Sequence, residues 1–217
     1  DGSTQSAGSL EGTSILSTSE TGGTKFLRED GDGTSSWQAA GGGWVELQSI
    51  SASSDATVDM ETGIDGTYDE YMICFSNIHA ASDGVTMNTR LKIGGSYKTD
   101  AYYQSWRNLG RSGTSGWDTS NHTTMTSSGY GVPDGFGNAA GEAGYGTVWF
   151  SSPDSTDNNK GIIVQSGWQR SSDGSFVLGK AGSSYSNSNA ALTGVRFYMG
   201  SGNITSGTFT LYGLTKS

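Results

Sequence analysis

From residue 44 onward the chain alternates between apolar and polar positions. In VTMNTRLKI (85–93), Val85, Met87, Leu91 and Ile93 fall on one face and Arg90 and Lys92 on the other. That is the period-two signature of a half-buried strand. WVELQSISA (44–52) alternates as well, with Val45, Leu47 and Ser49 on one side and Trp44, Glu46, Gln48 and Ile50 on the other. In YDEYMICFSNI (68–78), the stretch from Tyr71 to Phe75 is apolar on both faces, which suits a central strand packed on two sides. Strand-like runs continue with ATVDM (56–60), AYYQSW (101–106), YGTVWFSS (145–152), GIIVQSGWQR (161–170), SFVLGKA (175–181), LTGVRFYM (192–199) and GTFTLYGL (207–214). Turn phrases such as SPDSTDNNKG, SSDGS and GSGN separate them. No segment carries a helical period. Roughly nine or ten strands at this spacing predict an all-β chain built as a two-sheet sandwich of jelly-roll type.

Two regions break the pattern. Residues 1–43 hold almost no periodic apolar positions and end in the glycine joint Gly41-Gly42-Gly43. A domain boundary is placed there, with the β-sandwich domain spanning 44–217. Residues 107–144 are long, polar and glycine-rich. A connection of that length in a compact domain predicts an irregular, functional loop.

Composition narrows the class further. Charged residues make up 15% and aromatics 11%, a balance that favours a folded chain with a polar surface over disorder. The net charge is −9 and no cluster of Lys and Arg occurs, so nucleic acid and anionic membranes are poor partners. No apolar run approaches the ~18 residues of a membrane span, and no signal-peptide pattern is visible. The single cysteine, Cys74, lies inside YMICF and reads as a small buried hydrophobe. Stability then has to come from something other than disulfides, and oligomerisation is one source.

Candidate chemistry is sparse. His79 and His122 have no neighbouring catalytic signature. Asp69 and Glu70 are adjacent, but neighbours in a strand point to opposite faces, and Glu142 has no visible partner for glycoside hydrolysis. EDGDG (29–33) and PDSTDN (153–158) collect oxygens without completing a calcium loop, and turns are the better reading of both. No catalytic residue, metal ligand or cofactor is assigned. Recognition chemistry is better represented. Tyr102, Tyr103, Trp106, Trp117, Tyr130 and Phe136 gather in or beside the 107–144 segment, with His122 among them. Flat rings set among small polar residues are typical of recognition surfaces, here of a glycan. The competing expectation is that Tyr103 and Trp106 are ordinary core-facing strand residues and Trp117 covers one end of the sandwich. Asn121-His122-Thr123 and Asn203-Ile204-Thr205 match the glycosylation sequon, which matters only in a eukaryotic secretory setting.

GTKFLREDGDGTSSW (23–37) resembles the stalk motif of bacteriophage tail-fibre and related virion appendage proteins, where a phrase like FLxTDGxGxLSW precedes a C-terminal β domain. TYDEYMICFSNI (67–78) is similar to a YDEYxFxFxNI strand of those domains, especially in marine phages. LTGVRFYMGSGNITSGTFTLYGL (192–214) resembles their closing strands. The chain departs from the pattern where a leucine-proline phrase usually precedes the stalk motif: SILSTSETG stands there instead. The resemblance implies a non-enzymatic virion structural protein, a homotrimer in which residues 1–43 form a short, extended or hairpin N-terminal stalk that carries a β-sandwich knob. Its partners would be its own copies, other virion proteins through the N-terminal segment, and a host surface glycan. Phe26, Leu27 and Trp37 are then expected to pack against their counterparts in neighbouring chains. A capsid decoration or head-fibre protein with no receptor role is the alternative, and a glycan-degrading tailspike enzyme is a third reading.

Overall fold

The computed structural model describes residues 25–29, 35–39, 43–101, 103–112, 117–125 and 128–214, with the backbone alone at 25–29, 35–39, 117–125 and 130–134. The chain divides into two compact units, Asp1–Gly41 and Gly42–Ser217. In the first, β1 (Lys25–Glu29) pairs antiparallel with β2 (Ser35–Ala39) and places Leu27 opposite Trp37. The side chains of Phe26, Leu27 and Trp37 lie outside the described residues.

The second unit is all strand and turn among the described residues. Its larger sheet has eight antiparallel strands. In spatial order these are β3 (Trp44–Asp55), β15 (Ile204–Leu214), β5 (Glu70–Ala80), β11 (Gly144–Ser151), β12 (Lys160–Gln169), β13 (Phe176–Tyr185), β8 (Tyr103–Arg111) and β9 (Trp117–Met125). The smaller sheet runs β10 (Gly129–Phe136), β6 (Val85–Ile93), β14 (Leu192–Met199) and β4 (Val58–Met60), with β7 (Ser96–Tyr97) added to β6. The two inner faces enclose one apolar core, so the predicted sandwich is present, although its sheets are unequal in width. Ring packing ties the layers together: Phe197 of the smaller sheet lies 4.9 Å from Phe209 and 6.1 Å from Phe75 of the larger. In β6 every second residue is buried, Thr89 included.

Two β-bulges change phases that simple alternation predicts. In β3, Gln48 pairs with Leu211 and Glu46 with Tyr212, so Leu47 is an extra residue. A bulge shifts the pleat by one position, and Leu47 and Ile50, expected on opposite faces, both pack against the core. In β5, Phe75 pairs with Gly146 but Ile78 with Gly144. The extra residue is accommodated near Asn77, which takes a left-handed conformation (φ 52°). Tyr71, Ile73 and Phe75 point inward before the bulge, and Ile78 and Ala80 after it.

The segment 107–144 is not the irregular loop that its composition predicts. It contains the end of β8, all of β9 and β10, and the start of β11. Among the described residues, both β9 and β10 end a sheet, and β10 adds only a single bridge from Phe136 to Arg170 on its other side. An edge strand is held by backbone hydrogen bonds to one neighbour and needs no strong apolar alternation, so WDTSNHTTM gives little local signal. Pro133 fits in β10 because a strand edge, and the irregular register between Val132 and Phe136, do not require its missing N–H.

Candidate functional site

The outer face of the larger sheet carries large apolar side chains exposed to solvent. Strand alternation puts Val148 and Phe150 of β11 inside, so Tyr145, Thr147 and Trp149 project outward. The same logic sends Ile163 of β12, Phe176 and Leu178 of β13, and Trp106 of β8 outward. Cross-strand register then lines them up. Trp106 lies opposite Gly182, Gly182 opposite Ile163, and Ile163 opposite Trp149. Trp106, Ile163 and Trp149 are 43%, 64% and 37% exposed, a level at which their rings and branches are free to meet a ligand. The neighbouring row toward the sheet end is Gln104, Ser184 and Gly161, which are small or polar.

These two rows border a trough-like cavity of about 850 Å³ that continues past the sheet end to the buried Ser105, Ile162, Ser183 and Leu192. Its floor is open because of two glycines. A Cβ at Gly182 would meet nothing nearer than the Ile162 carbonyl at 3.9 Å, and one at Gly161 nothing nearer than the Ser183 carbonyl at 3.4 Å. Trp106 stands at one end and Trp149 at the other, three strand spacings apart, about 14 Å for a regular sheet. The Trp149 ring is held in place: its indole N–H donates to Thr147 Oγ1 (3.1 Å), and Trp44 packs edge-on at 5.3 Å. A polar rim comes from Ser151, Ser184, Gln104 and, in the turn after β11, Asn158 and Asn159.

That turn is organised by Lys160. The residue is buried (3% exposed), and its ammonium donates to the carbonyl oxygens of Ser155 and Asn158. Burial pushes its pKa down, opposed by the nearby carboxylates of Asp154 and Asp157. The oxygen-rich PDSTDN phrase is therefore wrapped around an internal cation that the chain itself supplies. Next to the trough, a polar row (Asn108, Lys180, Gln165, Thr147) separates it from a second aromatic pair. There Tyr145 and Phe176 lie nearly parallel (21°, centroids 6.3 Å apart) over Gly167, where a Cβ would fall 2.9 Å from Phe176.

The outer face of the smaller sheet differs in kind. Arg196 grips Asp59 with two hydrogen bonds (2.7 and 2.6 Å) and lies over the Tyr97 ring, 3.9 Å from its centroid. Glu61 accepts from the Tyr97 hydroxyl (2.7 Å) and from Lys92 (3.0 Å). The hydrogen bond from Tyr97 is the main cause that holds the Glu61 carboxyl below its ordinary value. These charges satisfy one another.

The aromatic residues singled out in the sequence do not form one cluster. Trp106 is in the trough. Tyr103 is fully buried: its hydroxyl accepts from Leu91 N–H (2.8 Å) and donates to the Lys98 carbonyl (3.3 Å), and burial pushes its pKa up to about 12. Its assignment as a glycan contact is thus corrected, because it sits three positions from Trp106 on the same strand, an odd spacing that turns it to the opposite side. Phe136 is likewise a core residue. Trp117 pairs with Gly110 and His122 with Ser105 in the larger sheet, while Tyr130 pairs with Asn88 in the smaller, so the two sheets separate them. The side chains of Trp117, His122 and Tyr130, and Tyr102 as a whole, lie outside the described residues.

Other candidates have local partners. Glu142 accepts from Ala139 N–H (2.9 Å) within its own turn. His79 Nε2 is 3.4 Å from Asn77 Oδ1 beside the β5 bulge. Cys74, expected in the core, is half-buried on the outer face between Thr147 and Thr210, and burial pushes its thiol pKa up. Trp149, Ile163 and the two floor glycines went unnoticed in the sequence. The signal was there in YGTVWFSS and GIIVQSGWQR, which carry large apolar residues in both phases of the alternation, as YMICF does.

Comparison of the chain with family models, with curated proteins and with solved structures gave no match.

Proposed function

We propose that this chain is a non-enzymatic virion structural protein whose β-sandwich knob binds a host surface glycan. The observation that carries the binding role is the trough on the larger sheet: Trp106 and Trp149 flank an open floor of Gly161 and Gly182, with hydroxyls and amides on the rim. Sugar rings present apolar C–H faces and polar edges, so they stack on aromatic rings while amides and hydroxyls hold their hydroxyl groups. Binding is favoured over hydrolysis because the described lining residues include no carboxylate, and cleaving a glycosidic bond ordinarily takes two.

The virion setting rests on the likeness of the KFLREDGDGTSSW stalk and the YDEYMICFSNI and LTGVRFYM strands to phage appendage proteins. In this reading the hairpin of β1 and β2 joins three copies through Phe26, Leu27 and Trp37, and the N-terminal segment anchors the trimer to the particle. The test uses particles carrying Trp106→Ala or Trp149→Ala. Adsorption to host cells should fall while the particles still assemble and the protein keeps a trimeric mass by light scattering. Unchanged adsorption of both variants would refute the glycan role, and a monomeric wild-type protein at micromolar concentration would refute the trimer.

A further inference from the structure

We infer that the trough takes an uncharged oligosaccharide of about three sugar units, laid across the strands β8, β13, β12 and β11 rather than along them. The inference rests on the glycan-binding reading and adds the charge, length and direction of the ligand.

Direction follows from register. The exposed apolar groups of the trough, Trp106, Ile163 and Trp149, succeed one another from strand to strand at matched positions, so the line joining them is perpendicular to the strands. A ligand running along a strand would leave the trough after one ring and meet the polar row of Lys180 and Gln165. Length follows from the spacing. Between the two tryptophans lie three strand intervals, about 14 Å, which an extended chain of about three sugars spans.

Charge follows from the lining. Among the described residues of the trough, Lys160 is the only ionisable one, and its ammonium is turned inward to the Ser155 and Asn158 carbonyls. An acidic sugar would find no available cation in the lining; Lys180 stands in the polar row beside it. A cationic amino-sugar would find no carboxylate in the lining, since Asp154 and Asp157 lie outside it, beside the Lys160 ammonium. The groups that remain, Gln104, Ser151, Ser184, Asn158 and Asn159, pair with neutral hydroxyls.

The experiment measures binding of the full chain to two ladders of linear oligosaccharides, one to six units long. One ladder is neutral (gluco-, manno- and N-acetylated chito-oligosaccharides) and the other is uronic. Each is measured by calorimetry at low and high salt, with the Trp106→Ala and Gly182→Leu variants alongside. Expected is binding to a neutral ladder that strengthens at least tenfold from one unit to three and then levels off, indifferent to salt and lost in both variants. Tighter binding of the uronic ladder, weakened by salt, would overturn the inference and leave the glycan reading standing, as would an affinity already saturated at a single sugar. Failure of both ladders to bind would overturn the glycan reading itself. So would self-association that the Trp106→Ala variant abolishes, because the trough would then be covered by a second copy.

Discussion

Replacing Gly182 with leucine should move stability and binding in opposite directions. The residue sits on the outer face of β13 with Ile163 and Trp106 as its cross-strand neighbours. A Cβ there clashes with nothing, since its nearest neighbour, the Ile162 carbonyl oxygen, is 3.9 Å away. Glycine inside a strand costs about 0.5–1 kcal/mol relative to alanine. A new apolar contact with exposed Trp106 and Ile163 adds about 0.2–1 kcal/mol. Together these predict a gain of about 1–2 kcal/mol, and each kcal/mol raises Tm by about 2–4 °C in a chain of this size. The same leucine fills the floor between the two tryptophans. Loss of stacking at a central contact of this kind costs about 2 kcal/mol or more, about thirtyfold in Kd. Calorimetric unfolding and titration with a neutral trisaccharide read both effects on one sample. A variant that is more stable yet binds like the wild type would refute the trough as the site. A variant that unfolds would refute the open floor on which the reasoning depends.

Tyr103→Phe removes the acceptor for the Leu91 N–H in the core and should cost about 1–3 kcal/mol by denaturant titration, with glycan affinity unchanged. Gly146→Ala provides the opposite case to Gly182. Its Cβ would fall 2.3 Å from the Gln165 carbonyl and 2.6 Å from Phe75, where backbone and core cannot yield, so a loss of about 3 kcal/mol or more is expected in thermal unfolding. Glu61 has a folded pKa below its ordinary value of 4.5. The stability it contributes is therefore present above the unfolded pKa and lost as pH falls through the folded one. The difference in Tm between wild type and Glu61→Gln should shrink as pH is lowered from about 5 to about 2, and a gap that is constant with pH would rule out this linkage.

The sequence by itself determined the class and most of the strands. Alternation in VTMNTRLKI and the apolar run in YMICF are local properties of the pleat, so β6 and β5 could be placed without neighbours. The inward residues of β6 could be named too, whereas in the β5 run both faces were expected to be packed and only its Tyr71, Ile73 and Phe75 are buried. Alternation failed where one residue is inserted. At Leu47 and Asn77 a bulge resets the phase, and whether a strand bulges depends on its partner's register, not on its own residues. It also gave no guide at two of the edge strands, β9 and β10, which are recruited by the neighbours they pair with. The trough lay beyond any local pattern. Trp106, Gly182, Ile163 and Trp149 come from four strands spread over more than seventy residues of chain, and only pairing at matched positions sets them in one row. Residue types decide which side chains can bind a sugar, whereas cross-strand register decides which of them stand side by side. Register is a property of the assembled sheet, because each strand's position is set by hydrogen bonds to its neighbours.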